Sequence, residues 1–171
     1  MMQMLDKGGV DILQDQLREA DISNPKGYYE YKPVMSLYKD NTWLSKSQDK
    51  AVKVVAPLLK YLDSTLRYKI IFMRRDLNEI IQSQQKMIGK SEQEFPVTLY
   101  NKYQKLLANV TLWDKSEPGV EILYVNYTDV LENPASELAR IEKFLGVAVD
   151  KQEMINCVDV SLYRNRTKAK K

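Results

Sequence analysis

The sequence predicts an α/β fold in which a parallel sheet is covered by helices. Three observations carry this: the strand-like segments are apolar almost throughout, helical segments separate them, and no low-complexity or Gly/Ser/Pro-rich stretch divides the 171 residues. A strand without polar alternation suits a sheet buried on both faces, and such sheets are parallel because their crossovers are helices. The whole chain, residues 1–171, therefore reads as one domain.

Residues 1–7 read as the end of a helix closed by Gly8-Gly9, and Val10 to Leu13 as a short strand. Asn24-Pro25-Lys26-Gly27 has turn chemistry, with proline fixing φ at the second position and glycine at the fourth. Val34 to Tyr38 and Thr42 to Ser47 suit short helices. Ala51 to Val55 (AVKVV) reads as a buried strand, Pro57 opens a short helix to Tyr61, and Tyr68 to Met73 (YKIIFM) is a second buried strand. Asp76 begins a long helix through a capping-box variant, Asp76-x-x-Glu79, and Ile80, Ile81, Met87 and Ile88 recur at seven-residue spacing on one face. A further helix spans about Phe95 to Trp113 and ends at Glu117-Pro118-Gly119. Glu121 to Val125 (EILYV) is a third strand, followed by a helix from Pro134 to Phe144 that stops at Gly146.

Composition excludes several function classes. The chain has no histidine, which removes the commonest general base, the usual triads and most zinc sites. Cys157 is the single cysteine, so no intrachain disulfide and no thiolate cage can form. Chemistry must come from Lys, Arg, carboxylates, hydroxyls or a bound cofactor, with no metal expected. The longest apolar stretches, Val54 to Leu59 and Ile70 to Met73, fall far short of the roughly 18 residues of a membrane span. The N-terminus carries no secretory signal pattern, which predicts a cytoplasmic setting.

The net charge of +3 belongs to the tail. Arg164, Arg166, Lys168, Lys170 and Lys171 lie in residues 164–171, and without them 21 basic residues face 23 acidic ones. The tail is either simply solvated or binds phosphate through its first arginines; a nucleic-acid partner is disfavoured.

Ligands of parallel sheets bind beyond the carboxyl ends of the strands. There, the segment Ile70 to Glu79 (IIFMRRDLNE) joins a buried strand to a helix N-terminus, whose N–H groups and dipole, together with two guanidinium forks, suit phosphate or sulfate. Ser83, seven residues after Asp76, falls on the same helical face. The alternative is that Arg74 and Arg75 pair with nearby carboxylates and Ser83 has no special role. Gly89-Lys90-Ser91 imitates the end of a P-loop, but Gln84 stands where that motif needs glycine, so Gly89 reads as a helix cap. Lys53 interrupts an apolar strand and lies either at an exposed face or on an anion. Glu19, Asp21 and Glu30 are loop carboxylates able to serve as bases or simply stay solvated, and Tyr28, Tyr29 and Tyr31 line a pocket or pack over the turn.

The segment Tyr68 to Ser83 resembles the 3′-phosphate-binding segment of the cytosolic-type sulfotransferases, which use 3′-phosphoadenosine 5′-phosphosulfate (PAPS). Arg75 and Ser83 match that family's arginine and serine, although Leu77 stands at the usual proline. Ile122 to Pro134 (ILYVNYTDVLENP) is similar to the family's tyrosine-acidic-leucine stretch, with Tyr127 at the tyrosine beside adenine, and Leu138 to Gly146 resembles the next helix. Residues 18–30 and 161–166 resemble a bacterial-type branch.

The resemblance implies a P-loop-like, three-layer sandwich. It implies sulfuryl transfer from PAPS to a hydroxyl or amine acceptor, leaving adenosine 3′,5′-bisphosphate. Arg75, Ser83 and Tyr127 would bind the nucleotide, with Arg164 and Arg166 closing over phosphate and Lys53 touching the sulfuryl group. Glu19, Asp21 or Glu30 would take the acceptor proton, because Val55 stands where many members carry the base histidine.

Met1 to Leu5 resembles the later part of the helix that follows the family's sulfuryl-binding loop, so the expectation is an N-terminally truncated domain with little or no activity. An exposed sheet edge would then be covered by a second copy. The competing expectation is a non-catalytic remnant or interaction module that keeps affinity for adenosine 3′,5′-bisphosphate.

Overall fold

A computed structural model of the chain describes residues 1–21, 24–89 and 96–163. Its sheet is built from two parallel strands, β1 (Tyr68–Arg74) and β2 (Val120–Asn126). They run in register from Tyr68 opposite Val120 to Arg74 opposite Asn126. Phe72 and Tyr124 face each other across the pair with ring centres 5.7 Å apart, edge to face, a cross-strand contact of the kind that fixes register. Both strands thus end together, and their C-terminal ends define one rim.

Six α-helices surround this pair among the described residues: α1 (Met2–Lys7), α2 (Leu77–Met87), α3 (Val97–Ser116), α4 (Tyr127–Glu132), α5 (Pro134–Leu145) and α6 (Lys151–Asn156). The core gathers Met4 and Leu5 of α1, Val125 of β2, Val130, Leu138 and Ile141 of α4 and α5, and Met154 of α6. Val125, Leu138, Ile141 and Met154 are fully buried. Polar ties add direction: Tyr124 donates to Asp114 (3.1 Å), and Arg140 bonds both Glu137 and the carbonyl of Tyr124, so α3 and α5 are fastened to β2. No described helix is long and apolar enough to cross a membrane.

Most expected elements are found within a residue or two. Asp76 caps α2 by accepting from the N–H groups of Asn78 and Glu79, at 2.8 and 3.2 Å. Gly89 and Gly146 take the left-handed conformation (φ 70° and 73°) just past the ends of α2 and α5, where glycine has no Cβ to clash. The short helices near residues 34 and 42 are 3₁₀ turns, Lys32–Ser36 and Thr42–Lys46.

Two strand expectations need correction. Val10 to Leu13 and Ala51 to Val55 meet in a single parallel bridge, Ile12 to Ala51, and residues 52–55 join no ladder. Apolar character predicted burial, but a strand also needs a hydrogen-bonding neighbour, and Val55 is 47% exposed. On α2, Ile81 is buried but Met87 and Ile88 are exposed, so the apolar face serves the core over the first two turns only. The chain is therefore mixed α/β around a two-stranded parallel sheet, smaller than the sheet expected from sequence.

Candidate functional site

The rim where β1 and β2 end forms a cleft of about 240 Å³. β1 delivers Arg74 and Arg75 to it, the turn into α2 adds Asp76 and Glu79, and β2 and α4 supply Asn126 and Thr128; Tyr163 closes it from the far end of the chain. Arg75 sits at the centre. Its Nε donates to Glu79 Oε2 at 3.0 Å, and its guanidinium carbon lies 4.9 Å from the ring centre of Tyr127 and 5.2 Å from that of Tyr163. Those rings meet edge to face at 5.4 Å, so the cation is flanked by two π faces. Arg74 takes a different path, its guanidinium lying 3.9 Å from the Tyr124 ring centre.

Glu79 is 4% exposed, a carboxylate buried in the cleft wall. Besides Arg75 it accepts from the Tyr163 hydroxyl, at 2.7 Å to one oxygen and 2.9 Å to the other. Asp76 caps the helix, and the Glu79 carboxylate meets Arg75 and Tyr163. The N–H groups of Asn78 and Glu79 are occupied by Asp76, so an anion here relies on side chains more than on the helix terminus.

A second cleft, about 280 Å³, lies among the loops of residues 14–30. Glu19 and Glu30 line it, with Arg18 and the rings of Tyr28 and Tyr29. Glu30 Oε1 lies 3.3 Å from both Arg18 and Lys53, and Lys53 Nζ also donates to the carbonyl of Tyr28 at 2.9 Å. Arg18 stacks on the Tyr28 ring at 3.4 Å, and the Tyr28 hydroxyl donates to Asp21 at 2.7 Å, which raises the Tyr28 pKa. Burial and a bond to Asp6 push the Tyr29 hydroxyl up to about 12, so it stays protonated. Gln16 and Tyr29, both on the wall, hold positive φ values of 56° and 50°, conformations that side-chain-bearing residues adopt at a cost.

The sequence candidates therefore divide between two places. Arg75 and Tyr127 meet at the sheet rim; Lys53, Glu30, Asp21 and Glu19 gather around the loop cleft. Ser83 is half-buried on α2, eight residues past Arg75, and is not among the residues lining either cleft. Arg164 and Arg166 lie outside the described residues, as do Lys90 and Ser91. The alternative that an arginine of the segment 70–79 pairs with a nearby carboxylate holds for Arg75, whose partner is Glu79. Sequence reasoning gave neither Glu79 nor Tyr163 an individual role: Glu79 carried a signal in its i, i+4 spacing from Arg75, and Tyr163 entered only within the segment 161–166.

The family model described as "Sulfotransferase family" matches residues 38–151. The chain belongs to the sulfotransferase family. The match spans β1, α2, β2, α4 and α5, so the whole Arg75 cleft except Tyr163 falls within this sulfotransferase-family region. No curated protein and no solved structure matches the chain. Family membership places the chain among proteins of sulfuryl transfer in general.

Proposed function

We propose that this sulfotransferase-family domain binds PAPS and its product adenosine 3′,5′-bisphosphate at the sheet rim, with Arg75 on the 3′-phosphate and Tyr127 beside adenine. The observation that carries the reading is Arg75 itself, a strand-end arginine held between two aromatic rings in a cleft where both strands finish. A guanidinium offers phosphate a planar, charge-assisted fork, and a flanking aromatic ring suits a purine base. PAPS, when bound, supplies the activated sulfuryl group; the residues described here would bind and orient its nucleotide end. The family also supports extending the two-stranded pair to a P-loop-like, three-layer arrangement.

For the acceptor, a hydroxyl or amine, the loop cleft is the candidate. Lys53 and Glu30 bear on how active this chain is. Both are engaged with each other and with Tyr28 or Arg18, and the chain offers no histidine, so turnover by the 171-residue chain is expected to be slight. That observation also favours a second reading, a domain that keeps nucleotide affinity without catalysis.

Calorimetry with adenosine 3′,5′-bisphosphate on wild type and Arg75→Ala tests the binding site. The expected result is binding by wild type and a loss of more than about a hundredfold in the variant, because two charge-assisted hydrogen bonds are worth about 3 kcal/mol or more. No binding by wild type overturns the nucleotide reading. Labelled-sulfate transfer from PAPS to a panel of hydroxyl and amine acceptors then separates enzyme from binding module.

A further inference from the structure

We propose that Glu79 is a positioning residue that joins Tyr163, and through it the C-terminal end of the described chain, to the phosphate-binding Arg75. The proposal rests on the nucleotide reading of the rim cleft and adds to it a coupling between two segments 84 residues apart. Three features carry it. The carboxylate is 4% exposed, and a buried charge is tolerated only where its neighbours hold it. Its two oxygens bond groups from different parts of the chain, Arg75 Nε at 3.0 Å and the Tyr163 hydroxyl at 2.7 and 2.9 Å. The Tyr163 ring also flanks the guanidinium and meets the Tyr127 ring, so hydroxyl and ring together fix the plane in which Arg75 presents itself.

An arginine has a long, freely rotating stem, and a phosphate gains most from a guanidinium already oriented before it arrives. Clamping Nε from the buried side sets that orientation. Clamping the same carboxylate with Tyr163 means that the C-terminal segment must be seated for Arg75 to be in place. Nucleotide affinity and docking of the segment around Tyr163 are then linked, each strengthening the other by the same factor.

The sign of one substitution separates this role from simple proximity. Glu79 is an anion beside an anion site, so electrostatics alone predicts that Glu79→Gln tightens the binding of adenosine 3′,5′-bisphosphate. Positioning predicts that it weakens binding, by about tenfold, or about 1.4 kcal/mol. Tyr163→Phe keeps the ring and removes the hydroxyl; it is expected to weaken binding by several-fold, and the Glu79→Gln/Tyr163→Phe double variant to bind no more weakly than Glu79→Gln alone.

The experiment is calorimetry with adenosine 3′,5′-bisphosphate on the full chain, wild type and the three variants, with thermal unfolding of each in the absence of nucleotide. Non-additive losses in affinity together with non-additive shifts in melting temperature support the proposal. Tighter binding by Glu79→Gln, unchanged binding by Tyr163→Phe, or additive unfolding shifts overturn it while the nucleotide reading stands. If wild type binds no nucleotide, the nucleotide reading falls and the proposal with it, even where the unfolding shifts are non-additive.

Discussion

Removing Arg75 should destabilise the fold, and the cost should be largely recovered by also neutralising Glu79. The pair is an i, i+4 contact with Nε 3.0 Å from Oε2, and the Glu79 side chain is 5% exposed against 21% for Arg75. Deleting one member of a buried pair costs about 3–5 kcal/mol when the other is left with an uncompensated charge. Here the Tyr163 hydroxyl remains on the carboxylate, and water reaches the place the arginine leaves, which brings the figure toward about 2 kcal/mol. Loss of the guanidinium from the two aromatic faces adds about 0.5–1 kcal/mol. A domain of this size loses about 2–4 °C in melting temperature per kcal/mol, so Arg75→Ala should melt about 5–10 °C below wild type. Glutamine matches glutamate in shape but carries no charge, so it leaves no uncompensated buried charge when Arg75 is absent. Glu79→Gln is therefore expected to lower the melting temperature of wild type but to raise that of Arg75→Ala, with a coupling of about 1–3 kcal/mol across the four chains. Calorimetric or urea unfolding of wild type, both single variants and the double variant measures this. Equal effects of Glu79→Gln in both backgrounds would refute the reasoning and leave Glu79 held by its other neighbours alone.

Leu138 on α5 is fully buried among the core residues, and Leu138→Ala should cost about 2–5 kcal/mol, read as a fall of about 10 °C in melting temperature. Gly146→Ala places a Cβ on a residue at φ 73°, where the nearest atom is Lys69 Nζ at 3.5 Å; the space is adequate, so the cost is backbone strain alone, about 1 kcal/mol in urea unfolding. Lys151 donates to Glu142 at 2.7 Å and holds that carboxyl below its ordinary pKa of 4.5. A depressed carboxylate stabilises the fold above its unfolded pKa and stops doing so as pH falls through the folded value. Lys151→Ala should therefore lower the melting temperature slightly at neutral pH and leave it unchanged once pH has fallen through the folded pKa, which flattens the acid side of the profile; the change is small because the pair is largely exposed.

The sheet rim was legible because it depends on local sequence. A strand of continuous apolar residues, two arginines and an aspartate cap occupy adjacent positions from Ile70 to Asp76, and each does locally what its chemistry suggests. The same holds for the stop at Gly146. The segment from Ala51 to Val55 failed for the opposite reason, since its apolar residues state a preference for burial and nothing about which strand lies beside them. α4 and α6 were not foreseen, although Asp150 caps α6 by accepting from Glu153 N–H, a spacing equal to that of Asp76 and Glu79. Short helices of six residues present too little periodicity to stand out from loops. Tyr163 could not be placed from sequence at all, because a contact across 84 residues is decided by packing.

The three loop carboxylates, equivalent in the sequence, are sorted by their partners. Glu30 stands between two cations, Arg18 and Lys53, each 3.3 Å from its Oε1, and so braces the wall of the cleft. Asp21 accepts the Tyr28 hydroxyl and the N–H of Asn24, so it holds the turn of residues 24–27 beneath the ring on which Arg18 stacks. Glu19 lines the same cleft, is exposed, and makes no hydrogen bond or ion pair among the described residues. Under the sulfuryl transfer proposed above, the carboxylate to test as general base is Glu19, because it lines the cleft and has no partner among the described residues. Loss of transfer in Glu19→Gln with nucleotide affinity intact, against loss of folding stability in Glu30→Gln, is the outcome this division requires. The reverse pattern would move the proton-accepting role to Glu30 and make the Arg18 and Lys53 contacts a resting arrangement that opens during turnover.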